Sequence, residues 1–457
     1  MSNIDVKTTL VDNKVNIILL FGISIFSIGT YTLETFLSSP TIKVVYLLAA
    51  IIMFIFFYMF YNEGIHLYKV EPLFFLFVVY FLTNLLLQGF YNKIHIIDLL
   101  VFISIILILI LFKINVRYFL FSMKTMLVLS IIYSLASILQ FTNTELYSKF
   151  ILNRFNPGEI ESVLRLQGEG SYTGLTSQTA FIAGYLVYGI GIAILLYRKI
   201  SSRYLRNLIL IAIPLMLFSL ILSSKRAHLL FMIIALLITF IFSTEVKKIA
   251  NQILKVSISF IILFIGLVTT LFFYEPSPDS PIGKIYHRFN LTIENYLAGE
   301  DITSGRVYLY EYALNLFKDS PIFGIGWRKF QQLSVGVINS DVGSHPHNIY
   351  FQLLTELGII GFILFIIPVL YALIKTIKLL LNSKEYFSFD TRWKVALQFS
   401  LYVQVFFLLY GITGNLLTDH VFLLMYVFAI TIVLSSLKYA NINQKRNNRE
   451  YIKSQKT

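Results

Sequence analysis

Apolar stretches long enough to cross about 30 Å of hydrocarbon recur along nearly the whole chain, at roughly 15-33, 42-61, 72-90, 96-112, 118-142, 178-196, 207-223, 227-243, 255-274, 348-373, 396-414 and 420-437. Such a pattern leaves few folds open, because inside a bilayer each span must satisfy its own backbone as a helix. Composition agrees: 57% of the 457 residues are apolar and 13% charged, against about 45–50% and about 25% in soluble domains. Mean hydropathy is +0.75, and 42 Phe and 29 Tyr stand against only 10 Pro. A water-soluble globule, a disordered chain and a coiled coil are excluded. The expected fold is all-α, a polytopic integral membrane protein of about twelve transmembrane helices. The first span follows a polar leader, 1-14, and no small-residue cleavage pattern comes after it, so it is read as a retained helix. Cys is absent, which excludes disulfides, thiolate catalysis and cysteine metal sites.

Charge placement sets the expected orientation, because short loops rich in Lys and Arg stay cytoplasmic. With twelve spans and both termini inside, the inner segments hold 24 of the 37 Lys and Arg and 8 of the 24 acids. The positive excess is therefore cytoplasmic. It reads as a topology signal and a contact with anionic lipid of the bilayer; no basic-aromatic module is present, so nucleic acid is not an expected partner.

The chain divides on this reading into helices one to five (1-142), an outer loop (143-177), helices six to nine (178-274), a large outer loop with short helices (275-346), helices ten to twelve (347-437) and a basic cytoplasmic tail (438-457). Long ordered loops usually carry function, so chemistry is expected at the outer membrane face. No internal repeat or inverted half is evident. Pro214 and Pro368 interrupt two spans without matching breaks in the first half, which weighs against a transporter.

Span seven ends in Leu222-Ser223-Ser224-Lys225-Arg226-Ala227-His228 and span eight starts at once. Cations in an outer turn oppose the positive-inside rule. One reading is snorkelling to the headgroups; the other is that Arg226 holds an anion, since its planar fork suits phosphate oxygens. In the large loop, residues 303-317 predict a helix capped by Thr303 or Ser304, with Val307, Tyr310, Leu314 and Phe317 as its apolar face. Arg306 in the first turn is opposed by the helix dipole by ~0.3–1 kcal/mol, a penalty that a bound anion would reverse.

Farther on, His347 and Asn348 cap the outer end of span ten. Imidazole changes charge near neutral pH, which makes His347 the candidate general base. Glu356, deeper in the span, must be paired or protonated; it either orients a partner or locks two helices together.

Ser-Lys-Arg between two spans, Ser304-Gly305-Arg306 leading to Pro321-Ile322-Phe323-Gly324-Ile325-Gly326, and His347-Asn348 followed by Glu356-Leu357-Gly358 together resemble the O-antigen ligase and O-antigen polymerase superfamily of bacterial envelopes. The likeness is dense from about 215 to 365; in the first five spans it rests on hydropathy and count. It implies about a dozen spans, a large outer loop before a late span, and transfer of glycan from undecaprenyl diphosphate to an acceptor hydroxyl. The family's phosphate-binding arginines would fall on Arg226 and Arg306 and its essential histidine on His347. Many members have Ser-Arg where this chain has Ser-Lys-Arg, which leaves open which of Lys225 and Arg226 contacts phosphate.

Chemistry outside the cytoplasmic membrane points the same way, for nucleotide sugars and ATP are not at hand there and the donor must bring its own leaving group. The expected substrates are an undecaprenyl-diphosphate-linked oligosaccharide and an acceptor glycan, with a flippase and a chain-length regulator as protein partners. Catalysis falls on His347, Arg306 and Arg226, and substrate contacts on Lys225, Arg165, Asn348 and Glu356. Neither outer loop has an Asp-x-Asp motif or a carboxylate cluster with metal spacing, so metal-independent transfer without a cofactor is expected. A lipid-glycan flippase would instead gather its cations in a central cavity, and a scaffold would not need His347 beside two arginines. Ligase and polymerase share these motifs. Usage rich in Ile, Lys, Asn and Phe and poor in Ala suggests an AT-rich genome, and a Gram-positive source lacking a lipid A acceptor, which tilts the reading towards a polymerase of capsular or O-antigen repeat units.

Overall fold

A computed structural model describes residues 35–36, 70–88, 115–197, 200, 202–243, 277, 281–299, 305–337, 343–387 and 390–454. Among these the chain is helical, without a strand. The helices in order are α1 (Val70–Gln88), α2 (Val116–Thr142), α3 (Thr144–Phe150), α4 (Pro157–Gly168), α5 (Thr179–Tyr197), α6 (Arg203–Leu222), α7 (Arg226–Ser243) and α8 (Pro281–Leu297). They continue as α9 (Arg306–Asp319), α10 (Lys329–Leu333), α11 (Ile349–Leu381), α12 (Ser383–Tyr386), α13 (Arg392–Tyr410) and α14 (His420–Ser454). Seven are long and apolar enough to cross a membrane, namely α2, α5, α6, α7, α11, α13 and the Val421–Asn441 part of α14; α1 is a shorter apolar helix. The protein is a multi-pass membrane protein. The spans expected at 15-33, 42-61, 96-112 and 255-274 lie outside the described residues, as do Thr303 and Ser304.

Two expectations are corrected. Neither Pro214 nor Pro368 breaks its helix; the non-helical residue in α11 is Gly358, at φ 67° and ψ −174°. The span expected at 396-414 is a helix from Arg392 to Tyr410, after which Gly411 opens a turn. The basic stretch after 437 continues α14 as helix to Ser454.

The described residues fall into two compact units. The first takes in α1, the first turn of α2 and α9 to α14; the second takes in the rest of α2 and α3 to α8. In the first, aromatic side chains fill the contact between α13 and α14: Phe407 stacks on Tyr426 at 4.3 Å and Tyr410 lies 5.1 Å from Phe422. Polar groups there are tied, Ser400 donating to the Ala429 carbonyl and Gln404 to Thr376. On its other side α11 packs on α1, with Phe77 and Phe365 edge to face at 5.1 Å.

The second unit relies on small side chains, as expected where lipid removes the hydrophobic drive between helices and close approach must supply the contact. Ser130 of α2 donates to the Tyr185 carbonyl of α5, and Ser134 to the Leu215 carbonyl of α6. A Cβ added at Gly189 would stand 2.3 Å from that of Ser130. The 143-177 stretch has a small core of its own, Tyr147, Leu152, Phe155 and Val163.

Candidate functional site

In the first unit the site grows from α9. Gly305 takes the N-cap position at φ 80°, a left-handed value that strains any other residue, and no side chain caps the helix. The buried face differs from the expected one. Leu309 and Ala313 are buried against Phe330, with Tyr312 and Leu316 beside them, while Val307 and Leu314 are exposed. Small Ala313 lets α11 approach so closely that Thr355 Oγ1 donates to its carbonyl at 3.0 Å. Arg306, half-buried, opens the helix near Tyr310: burial pushes the Tyr310 phenol up, and the Arg306 charge only partly offsets this.

Tyr310 leads to the histidine. Its hydroxyl donates to the carbonyls of His347 and Ile412 at 3.5 and 3.4 Å. His347 is half-buried and left-handed at φ 51°, a conformation that costs about 1–3 kcal/mol and gathers at functional sites. Asn348 is the N-cap of α11, its side-chain oxygen accepting from the amides of Tyr350 and Phe351. The turn after α13 closes on this corner: Ile349 N donates to the Gly411 carbonyl at 2.8 Å, and Asn415 Nδ2 lies 3.1 Å from His347 Nδ1. Asn415 Oδ1 is buried with no hydrogen-bond partner among the described residues.

Glu356 is fully buried. Gln352 donates to its Oε2 at 3.1 Å, and the Arg328 to Phe330 segment, with the Arg328 charge, faces its carboxylate. Arg328 is left-handed as well, at φ 59°. Just before it, Pro321–Gly326 crosses the break in α11, where Ile325 N and Gly326 N donate to the Thr355 and Glu356 carbonyls. Glu356 thus sits where a helix break, a crossing segment and α10 meet, which favours the lock over direct contact with substrate.

The second unit holds the other cations. Ser223 caps α6, Ser224 turns left-handed at φ 57°, and Arg226 is the first residue of α7. Arg226 is exposed and Lys225 half-exposed. The end of the 143-177 stretch docks here, Tyr172 N donating to the Leu222 carbonyl at 3.0 Å and Ser224 Oγ to that of Gly170. Gln140 Oε1 holds the segment by accepting from the amides of Thr173 and Gly174. Arg165 is exposed in the last turn of α4, which feeds this segment. The structure therefore groups Arg306, His347 and Asn348 with Glu356 in one unit, and Lys225 and Arg226 with Arg165 in the other.

The stretch that carries most of these residues is also the one that matches a known family: residues 211–366 fit the family model Wzy_C, described as O-antigen ligase. The match is a likeness to that family over this stretch alone. It begins within α6 and ends within α11, so it includes Lys225, Arg226, Arg306, His347, Asn348 and Glu356, whereas Arg165 and Asn415 lie outside it. No curated protein matches the chain. Tyr310, Arg328 and Asn415 escaped the reading of the sequence. Tyr310 was counted as an apolar-face residue. Only the Gly414-Asn415 pair between two spans marked the turn that brings Asn415 to His347.

Proposed function

We propose that the chain is a metal-independent glycosyltransferase of the outer membrane face, which moves glycan from undecaprenyl diphosphate to an acceptor sugar hydroxyl and so polymerises repeat units of a surface polysaccharide. Twelve spans, cytoplasmic termini and an outward-facing site complete the reading, supported by the charge split. The observation that carries it is the corner of the matched stretch at which a strained His347, ringed by Asn415 and Tyr310, shares α9 contacts with Arg306.

The mechanism needs three acts from these side chains. Arg306, at a helix start whose amides also favour an anion, binds the diphosphate, and Arg226 with Lys225 adds positive charge as the leaving group takes up the bonding electrons. His347 removes the acceptor proton. The acceptor oxygen bonds to the anomeric carbon, the bond from that carbon to the phosphate oxygen breaks, and undecaprenyl diphosphate departs with the electron pair. For Nε2 to be the base, Nδ1 must carry the ring proton. Turning the Asn415 amide over provides for this: Oδ1, otherwise without a partner, accepts from Nδ1–H. Glu356 and Asn348 hold the corner in place, and Arg165 assists with the second glycan.

The family description supports a second reading, in which a finished glycan is handed to a different acceptor. Purified protein given a synthetic undecaprenyl-diphosphate repeat unit as sole substrate separates the two. A ladder of longer lipid-linked products is expected. Product that forms only when a separate acceptor is added would make it a ligase, and no transfer under either condition would overturn the enzyme reading.

A further inference from the structure

Between α9 and α10 the chain runs Pro321-Ile322-Phe323-Gly324-Ile325-Gly326-Trp327, seven residues without a charge, flanked by Lys318 and Asp319 on one side and Arg328 and Lys329 on the other. An extramembrane loop satisfies its carbonyls with water. This one does not need to. Ser320 O accepts from Gly324 N, Pro321 O from Ile359 N, Ile322 O from Ile360 N, Phe323 O from Asn84 Nδ2 and Gly324 O from Ser320 Oγ. Tyr80 of α1 closes the break itself by donating to the Leu357 carbonyl at 2.8 Å. Non-helical backbone persists at membrane depth only when it is satisfied internally, and here every carbonyl from Ser320 to Gly324 is.

The side chains at the tip complete the pattern. Ile322 is 54% exposed and Phe323 61%, whereas burial increases along the residues that follow until Gly326 and Trp327 are buried. The carbonyls of Pro321 and Ile322 accept from the amides of Ile359 and Ile360, where an exposed stripe begins on the membrane helix: Ile359, Ile363, Ile367, Leu370 and Ile374 recur at helical spacing along one face of α11. From 357 to 374 that helix carries no charge, so its hydrocarbon-facing surface starts at the level of the pairing. The tip extends this stripe.

We propose that Pro321–Gly326 is a re-entrant wedge, dipping from the loop into the bilayer so that Ile322 and Phe323 lie among acyl chains at the upper edge of the hydrocarbon. The occupant of this surface is the bilayer, and the wedge anchors α9 and α10 to it independently of what the site catalyses.

Absence of cysteine makes the test direct. Single variants Ile322→Cys, Phe323→Cys, Ile367→Cys and Lys329→Cys of the full chain carry a nitroxide label, are reconstituted into phosphatidylglycerol–phosphatidylethanolamine vesicles, and are relaxed either by oxygen or by a water-soluble nickel chelate. Labels at 322 and 323 should match 367 in favouring oxygen, with an oxygen-to-nickel ratio several-fold above that at 329. A ratio at both tip positions equal to that at 329 would place the tip in water and overturn the wedge. Labels at 322 and 323 shielded from both reagents would show protein covering the tip, and would overturn it equally. Neither result depends on glycan transfer, so the wedge and the enzyme reading stand or fall separately.

Discussion

Arg306 and Arg226 are both proposed to bind phosphate, yet the fold mounts them in opposite ways. Arg306 is half-buried on a helix clamped to α11 through Leu309, Ala313 and Thr355, and it neighbours a half-buried phenol. Arg226 is exposed, the first residue of α7 after a three-residue turn. A clamped guanidinium holds one geometry and draws its strength from a fixed bidentate fork. An exposed one supplies charge and adapts. The two mounts therefore differ in how well each position should tolerate lysine.

The sharpest way to break this comparison is to change both arginines alike. His347→Ala and Arg306→Ala should abolish transfer, with losses of ~10²–10⁴-fold or more, and Arg226→Ala should also fail. Lysine distinguishes the mounts: Arg306→Lys should lose most of its activity, whereas Arg226→Lys should keep a measurable part in the lipid-linked repeat-unit assay. Equal loss at both positions would remove the distinction.

Glycines give the next largest effect. A Cβ at Gly358 would stand 2.2 Å from the Ile322 carbonyl oxygen, at a backbone φ of +67°. Gly358→Ala should therefore cost at least about 3 kcal/mol and lower the melting temperature of the detergent-solubilised protein sharply. Gly158 of α4, in the second unit, has nothing within 4 Å, and Gly158→Ala should stabilise by about 0.5 kcal/mol through helix propensity.

A smaller and more diagnostic change is at Asn415. Orienting partners of a histidine ring are worth roughly 10–100-fold in comparable settings, so Asn415→Ala should lower kcat by about that much. Asn415→Asp should move the acidic limb of the pH–rate profile to higher pH, because a carboxylate favours imidazolium. A purely structural Asn415 would leave that limb in place. The half-buried Tyr310 phenol, pushed up by burial and hence neutral across the assay range, contributes no limb of its own.

The smallest effect concerns Asp390. Burial works against its charge, but hydrogen bonds from Arg392 and the charges of Arg392 and Arg117 prevail and lower its pKa. A carboxylate lowered on folding stabilises above its unfolded pKa, and that contribution is lost as pH falls through the folded value. Asp390→Asn should thus reduce thermal stability slightly at neutral pH, and the difference from the unaltered protein should vanish in acid.

What the sequence revealed was whatever depends on local pattern. Continuous apolar runs located α2, α5, α6 and α7 to within a few residues, because a span needs only length and hydrophobicity. Asn348 was legible as a cap since capping is decided within three residues. The face of α9 was misjudged because Val307, Tyr310, Leu314 and Phe317 are the bulkier set, while burial went to Leu309 and Ala313, whose smaller volume lets α11 come close. The break in α11 was assigned to Pro368 for a similar reason: proline is the stronger local signal, whereas the break at Gly358 exists because another segment, from 30 or so residues earlier in the chain by the numbering, supplies its hydrogen bonds. Asn415 was invisible, being brought to His347 only by the return of α13 beside α11.

The crossing of Pro321–Gly326 over α11 also bears on how this protein can change over evolutionary time. Its backbone pairs at both ends with α11, Pro321 and Ile322 with Ile359 and Ile360, and Ile325 and Gly326 with Thr355 and Glu356, so a single insertion or deletion between these ends would break one set of pairs and push a side chain into the space that Gly324 and Gly358 leave for backbone. Substitution can proceed at Ile322 and Phe323, whose side chains face outward. Length cannot. This stretch should behave as a ruler of fixed size, with variation in the loop's extent displaced to positions that no such pairing counts.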